Sequence, residues 1–207
     1  MDQPFVVLAI VLALFAMVFG VASYWNLNIR RKVKSQFAEL AGETGLELQQ
    51  SPAKWGGLFG RYPALYGNYN GRESSIYSVG HGLDNTRQTE TAIRMICRTD
   101  KKNHFSLSPR TLGGKLIQTK QGQNLSMGDP TFDQDFILKS YSPERMQAGL
   151  THDCLNVLRK LMEASPGHLE LHKGILIHTQ SFVLTNETYR SQLGQALPIL
   201  SEIAKSL

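Results

Sequence analysis

From Pro4 to Ala22 the chain carries no charged or strongly polar side chain. That run constrains everything else, because an apolar stretch of this length has no place on the surface of a water-soluble domain. Ser23, Tyr24 and Trp25 follow it, the small and aromatic edge suited to a headgroup interface. About 21 residues at a rise of ~1.5 Å reach ~30 Å, the thickness of a bilayer's hydrocarbon core. Residues 1–26 are therefore read as a transmembrane anchor. Met1-Asp2-Gln3 lacks the positive start of a cleaved signal peptide, and the apolar run is longer than a signal's core. The anchor is expected to be retained.

Arg30, Arg31, Lys32 and Lys34 lie just beyond the run, while Asp2 is the one acid before them. Positive charge marks the cytoplasmic side of a span, so the N-terminus is expected outside and residues 30–207 in the cytoplasm. The same four cations are the candidate contacts for an anionic lipid headgroup. Ala9, Ala13, Ala16 and Gly20 add a small-xxx-small spacing that would let two such helices approach closely.

The net charge of +5 owes most of its value to that cluster: residues 35–207 carry 18 basic and 16 acidic residues. So even a balance leaves no electrostatic footprint for nucleic acid, which is excluded as a partner. Cys97 and Cys154 fall on apolar faces of predicted elements and form no motif; they are read as buried free thiols, which suits a reducing compartment.

Past the basic cluster, Ile29, Val33, Phe37, Leu40 and Ala41 recur at helical spacing. Residues 27–50 are read as an amphipathic juxtamembrane stalk that Gly42 and Gly45 bring to an end, and residues 51–207 as one domain. The stretch 51–60 reads as a loop carrying Trp55 and Phe59, either as plugs into the core or as a partner-binding patch. Tyr62–Tyr69 and Arg72–Val79 flank Asn70-Gly71, a type I′ hairpin signal that sets Leu65 opposite Ile76. Thr89–Thr99 alternates, with Ile93, Met95 and Cys97 on one face and Arg94 and Arg98 on the other, and His104–Ser108 is a shorter strand with Phe105 and Leu107 inward. Leu112–Met127 reads as irregular. Asp129-Pro130 starts a short turn, Phe136–Tyr141 is a strand, and Ser142-Pro143-Glu144 opens a helix running to about Glu163 with a stripe of Met146, Leu150, Cys154, Val157, Leu158 and Leu161.

His168–Ile177 reads as a second hairpin. A three-residue loop, His172-Lys173-Gly174, places Leu169, Leu171, Ile175 and Ile177 on one face, where a two-residue loop divides them. A last helix, from about Glu187 to Ser206, turns Tyr189, Leu193, Leu197, Leu200 and Ile203 inward, with Pro198 kinking it. The order predicts an α+β fold: an antiparallel sheet with two C-terminal amphipathic helices on one face.

Motifs of the familiar enzyme classes are missing: there is no Gly-x-Ser-x-Gly, no phosphate loop, no Cys-x-x-Cys and no dinucleotide fingerprint. No cofactor is expected. Three weaker constellations remain. His168 and His178 would face each other across the second hairpin with Glu170 beside them, a set able to hold zinc with an open position, or else a plain polar face. Asp129, Asp133 and Asp135 cluster without the glycine and glutamate of an EF-hand loop, and read as a capped turn anchored by Phe132 and Phe136. His152 and Cys154, two residues apart on a helix, point in different directions and form no dyad.

The order of anchor, basic stalk, strand pair around Tyr69-Asn70-Gly71-Arg72, the run Gly128-Asp129-Pro130-Thr131-Phe132-Asp133, and a closing hairpin and helix resembles a loose group of bacterial membrane-anchored proteins of unknown function. The resemblance implies the architecture and a bacterial inner membrane, and no activity. The sequence thus points first to a non-catalytic accessory or scaffolding subunit that presents a cytoplasmic domain to a protein partner or to another copy of itself. A module for a lipid headgroup or small ligand, with Arg94 and Arg98 as further cations, is the second reading, and an enzyme of an unrecognised class the third.

Overall fold

The computed structural model describes residues 3–50, 61–81, 87–99, 103–110 and 122–207. The loop 51–60, with Trp55 and Phe59, and most of the stretch read as irregular between Leu112 and Met127 lie outside them. Helix α1 (Gln3–Thr44) is continuous from the apolar run through the basic cluster. Its apolar half is exposed among the described residues: Phe15 is 71% and Trp25 68% exposed. It holds a window with a mean hydropathy of 1.9, long and apolar enough to cross a membrane. The other half belongs to the core. Val33, Phe37 and Leu40 are fully buried, so the segment expected to stand off as a stalk packs into the domain. Of the two glycines expected to stop it, Gly42 lies inside the helix; Gly45 ends it with a positive φ, its N–H donating to the Ala41 carbonyl at 2.9 Å.

Among the described residues nine antiparallel strands form one sheet: β1 (Glu47–Gln49), β2 (Ala64–Tyr69), β3 (Arg72–His81), β4 (Arg87–Ile96), β5 (His104–Pro109), β6 (Gln123–Asn124), β7 (Phe136–Ser140), β8 (His168–His172) and β9 (Ile175–Gln180). Their spatial order is β1-β2-β3-β4-β9-β8-β5-β7-β6. Leu65 pairs with Ile76 as the Asn70-Gly71 turn dictates, both turn residues taking positive φ. Short β1 and β6 were not anticipated. β1 pairs Leu48 with Leu65 and extends the sheet with exposed residues, so it has no apolar pattern to announce it.

The helices are α2 (Pro130–Asp135), α3 (Pro143–Gly149), α4 (His152–Ala164) and α5 (Glu187–Ser206). The single helix expected from Pro143 to Glu163 is two, because the chain turns at Leu150 and Thr151 caps a new start, its hydroxyl accepting from the Cys154 N–H. The apolar stripe survives the break: Met146, Leu150, Cys154, Val157, Leu158 and Leu161 are all buried. α5 begins at an Asn186 cap, continues through Pro198, and packs on β4, α4 and α1. Leu193, Leu197, Leu200 and Ile203 face inward as the spacing predicts, while Tyr189 is half-buried and stacks on Phe182. One core lies between sheet and helices. Its floor includes a row running across the sheet: Leu65, Ile76, Ile93, His178, Leu169, Leu107 and Leu138.

The second hairpin departs from expectation. His172 pairs with Ile175, leaving a two-residue loop in which Lys173 and Gly174 both take positive φ. This type I′ turn moves Ile175 and Ile177 to the opposite face and carries His178 into the apolar row. β5 differs too, being buried on both faces, with Ser106 and Ser108 as well as Phe105 and Leu107 inaccessible.

Candidate functional site

The sheet face turned away from the helical core gathers polar residues around β5 and β8. Register alone places them: His104 pairs with His172, and Ser106 with Glu170. Side chains two residues apart on a strand share a face, so His168, Glu170 and His172 line up beside His104 and Ser106. His104 Nε2 lies 3.5 Å from Glu170 Oε1. The ring of His104 also meets His172 edge-on at a centroid distance of 5.4 Å and Tyr141 at 4.3 Å. Among the described residues His104, Glu170 and His172 form the group able to hold a metal ion, each offering one ligand atom, all within 4.8 Å of one another. His104 is buried while His172 is exposed, so one ligand is fixed by packing and another can move. Burial lowers the His104 pKa, against the opposing pull of the Glu170 carboxylate. Among the described residues the Nδ1 of His104 has no hydrogen-bond partner.

The expected set of His168, Glu170 and His178 is not brought together. His178 pairs with Leu169 and points to the helical side, where Ser165 at the end of α4 meets its Nε2 at 3.0 Å. His178 is fully buried, and desolvation pushes its pKa down to about 4. Glu170 of the expected set lies in this group; His104 was not anticipated, because its pairing with β8 is set by tertiary structure and no local spacing announces it.

The carboxylates of the Gly-Asp-Pro-Thr-Phe-Asp run are engaged with the backbone. Asp129 caps α2, accepting from the Thr131 and Phe132 N–H groups, and pairs with Arg159 at 3.3 Å. The Phe132 N–H, and secondarily Arg159, hold its carboxyl below the ordinary value. Asp133 accepts from the Ser126 hydroxyl at 2.6 Å and from the Met127 and Gly128 N–H groups. Beside it lies a cleft of about 330 Å³ lined by Arg110, Ser126 and Lys139 among others. Arg110 donates twice to the Asp133 carbonyl, at 3.0 and 2.9 Å, so its guanidinium serves the loop.

At the other end of the domain Arg31, Lys32 and Lys34 are exposed on α1 where its apolar half ends, while Arg30 lies over the Tyr62 ring. Arg94, a cation expected to be available to a ligand, pairs with Glu73 at 3.4 Å; Arg98 is exposed. Cys97 and Cys154 are buried free thiols, and burial raises both pKa values. His152 is exposed on α4 and Cys154 buried, as their spacing requires.

Fold and site together define a class: an α+β domain on a nine-stranded antiparallel sheet, into which a long N-terminal apolar helix is built. The sequence matches no protein-family model and no curated protein. Among solved structures, the crystal structure of the mycobacterial trehalose monomycolate transport factor A, TtfA, is similar in fold, with a TM-score of 0.58 and 10% identity over 86% of this chain and 94% of that one.

Proposed function

We propose that this protein is a single-pass, membrane-anchored accessory subunit that holds its α+β domain at the cytoplasmic face of a bacterial inner membrane for a protein partner. The observation that carries the reading is the continuity of α1: an uncovered apolar half runs without a break into a half whose Val33, Phe37 and Leu40 are fully buried. A domain built on its own anchor is suited to being held at a fixed place beside a membrane complex. Similarity in fold to a protein called a transport factor agrees with an accessory role in membrane transport. Orientation follows from Arg30, Arg31, Lys32 and Lys34 by the positive-inside rule. Trp55 and Phe59 are the residues we assign to the partner.

Mass spectrometry of the protein extracted natively in mild detergent from its own membrane tests this. A protein that travels with it at fixed stoichiometry, and is lost on Trp55→Ala with Phe59→Ala, is the expected result; a bare chain overturns the reading. A reporter fused after Leu207 that is active only outside the cytoplasm would overturn the orientation.

The exposed Arg31, Lys32 and Lys34 favour a second reading, a lipid-headgroup module. In that case anionic lipid, and no protein, is retained, and changing these three residues to glutamine releases it.

A further inference from the structure

We propose that His104, Glu170 and His172 bind one divalent transition-metal ion of the zinc class, through two imidazole nitrogens and a carboxylate oxygen, with a fourth position left open. The three donors come from two neighbouring strands whose register is fixed on both sides. β5 is held between β7 and β8, and β8 between β5 and β9. The direct pairing of His104 with His172 sets the two rings side by side, and Glu170 shares their face two residues along β8. No loop has to order for the set to form.

Chemistry and distance agree with this assignment. Two imidazoles and a carboxylate form a donor set that zinc and its neighbours accept, and three protein ligands leave a position for water or for a group from another molecule. Donors on one ion at about 2.1 Å sit at most roughly 4 Å apart. The present span of 4.8 Å therefore closes with a small swing, and the exposed His172 is the side chain free to make it. His104 is the fixed post. It is 8% exposed and turns Nε2 toward Glu170, while its Nδ1 finds no hydrogen-bond partner among the described residues. Packing holds that ring with Nε2 toward Glu170 and its edge against the ring of His172, where one ion can meet all three side chains. Tyr141 against the His104 ring limits its rotation.

The experiment uses the full chain in detergent, without a histidine tag, stripped with chelator and titrated with Zn²⁺ by calorimetry; Co²⁺ absorption reports the ligand geometry. One equivalent should bind. His172→Ala and Glu170→Gln should each weaken binding by about tenfold or more. His152→Ala, at an exposed histidine on α4, should bind as the wild type does and so controls for adventitious imidazole. Thermal melts in the absence of metal verify that the variants fold; His172 is exposed, so its truncation leaves the core unchanged. Absence of saturable binding, or a weakening short of tenfold in either ligand variant, overturns the proposal.

Discussion

Arg190 of α5 donates through Nε to Glu43 of α1 at 3.0 Å, fastening the last helix of the chain to the first. The same guanidinium reaches Glu39 and Gln36 one and two turns earlier on α1. Arg190 is largely buried and the glutamates about half exposed, so solvent screening keeps the ion pairs modest. Arg190→Ala should cost about 1 kcal/mol in denaturant unfolding. Its hydrogen-exchange signature should be local, with amides of residues 33–44 exchanging faster and those of β8 and β9 unchanged. Uniform acceleration across the sheet would show that the contact is not a fastening of α1.

His178 predicts a pH dependence with a definite sign. Its folded pKa, about 4, lies below the ordinary histidine value because burial disfavours the charged ring. Above pH ~6.5 both folded and unfolded chains hold it neutral, and its full contribution is present. As pH falls from there toward 4 the unfolded chain takes up a proton that the folded chain refuses, so stability drops by roughly 1.4 kcal/mol per pH unit. His178→Gln should flatten that slope by about one proton. A ring resonance for His178 that titrates near pH 6.5 in the folded protein would contradict the assignment.

Gly167 is dictated by contact. A Cβ there would stand 2.4 Å from the Thr179 carbonyl oxygen and 2.9 Å from the His178 ring. The first neighbour is the backbone of β9 and cannot yield cheaply. Gly167→Ala should lower unfolding stability by roughly 2 kcal/mol or more, the range of overpacked cores. A melting temperature within a degree of the wild type's would show that β9 gives way freely.

Lys173 offers the opposite case. It occupies the first position of the β8–β9 turn with φ at 51°, a conformation that lysine tolerates poorly. Lys173→Asn or Lys173→Gly should raise stability by about 0.5–1 kcal/mol in thermal or denaturant melts. Gly174→Ala, with φ at 76° and the Cys97 carbonyl 3.4 Å from the added carbon, should do the reverse.

That turn also shows what the sequence hid. The segment Leu169-Glu170-Leu171-His172-Lys173-Gly174-Ile175-Leu176-Ile177-His178 is apolar at positions that cannot all share a face under any two-residue loop. Placing Leu169, Leu171, Ile175 and Ile177 inward together required three residues and would turn Leu176 outward; the chain instead buries Leu176 and His178 and leaves Ile175 and Ile177 half-buried on the other side. β9 lies at the centre of a nine-stranded sheet, where both faces are partly covered and the inside-outside rule loses its force. Asn70-Gly71 was legible because one permitted turn and one polar face agree; the cap at Asp129 was legible because it is a local bond, whereas the equally local cap at Asn186 was not anticipated. Thr151 is just as local a cap, yet the stripe of apolar residues runs through it unbroken and concealed it. For the proposed metal site, the hairpin offered Glu170 and two histidines as candidates, but His104, the ring that the fold sets beside Glu170 and His172, arrives from a strand more than sixty residues earlier in the chain.

The strand order carries a consequence for synthesis. β1 to β4 follow one another and can pair as soon as they are made, but the inner edge of β4 takes its partner from β9, which ends at Gln180. Until then a four-stranded meander holds an open edge, with Ile93 and Met95 awaiting both β9 and the cover of α5. An α1 captured by a bilayer before the rest is made would keep each half-built sheet tethered apart from its fellows. The proposed anchoring of α1 would then act as a guard against edge-to-edge aggregation in the interval before β9 arrives.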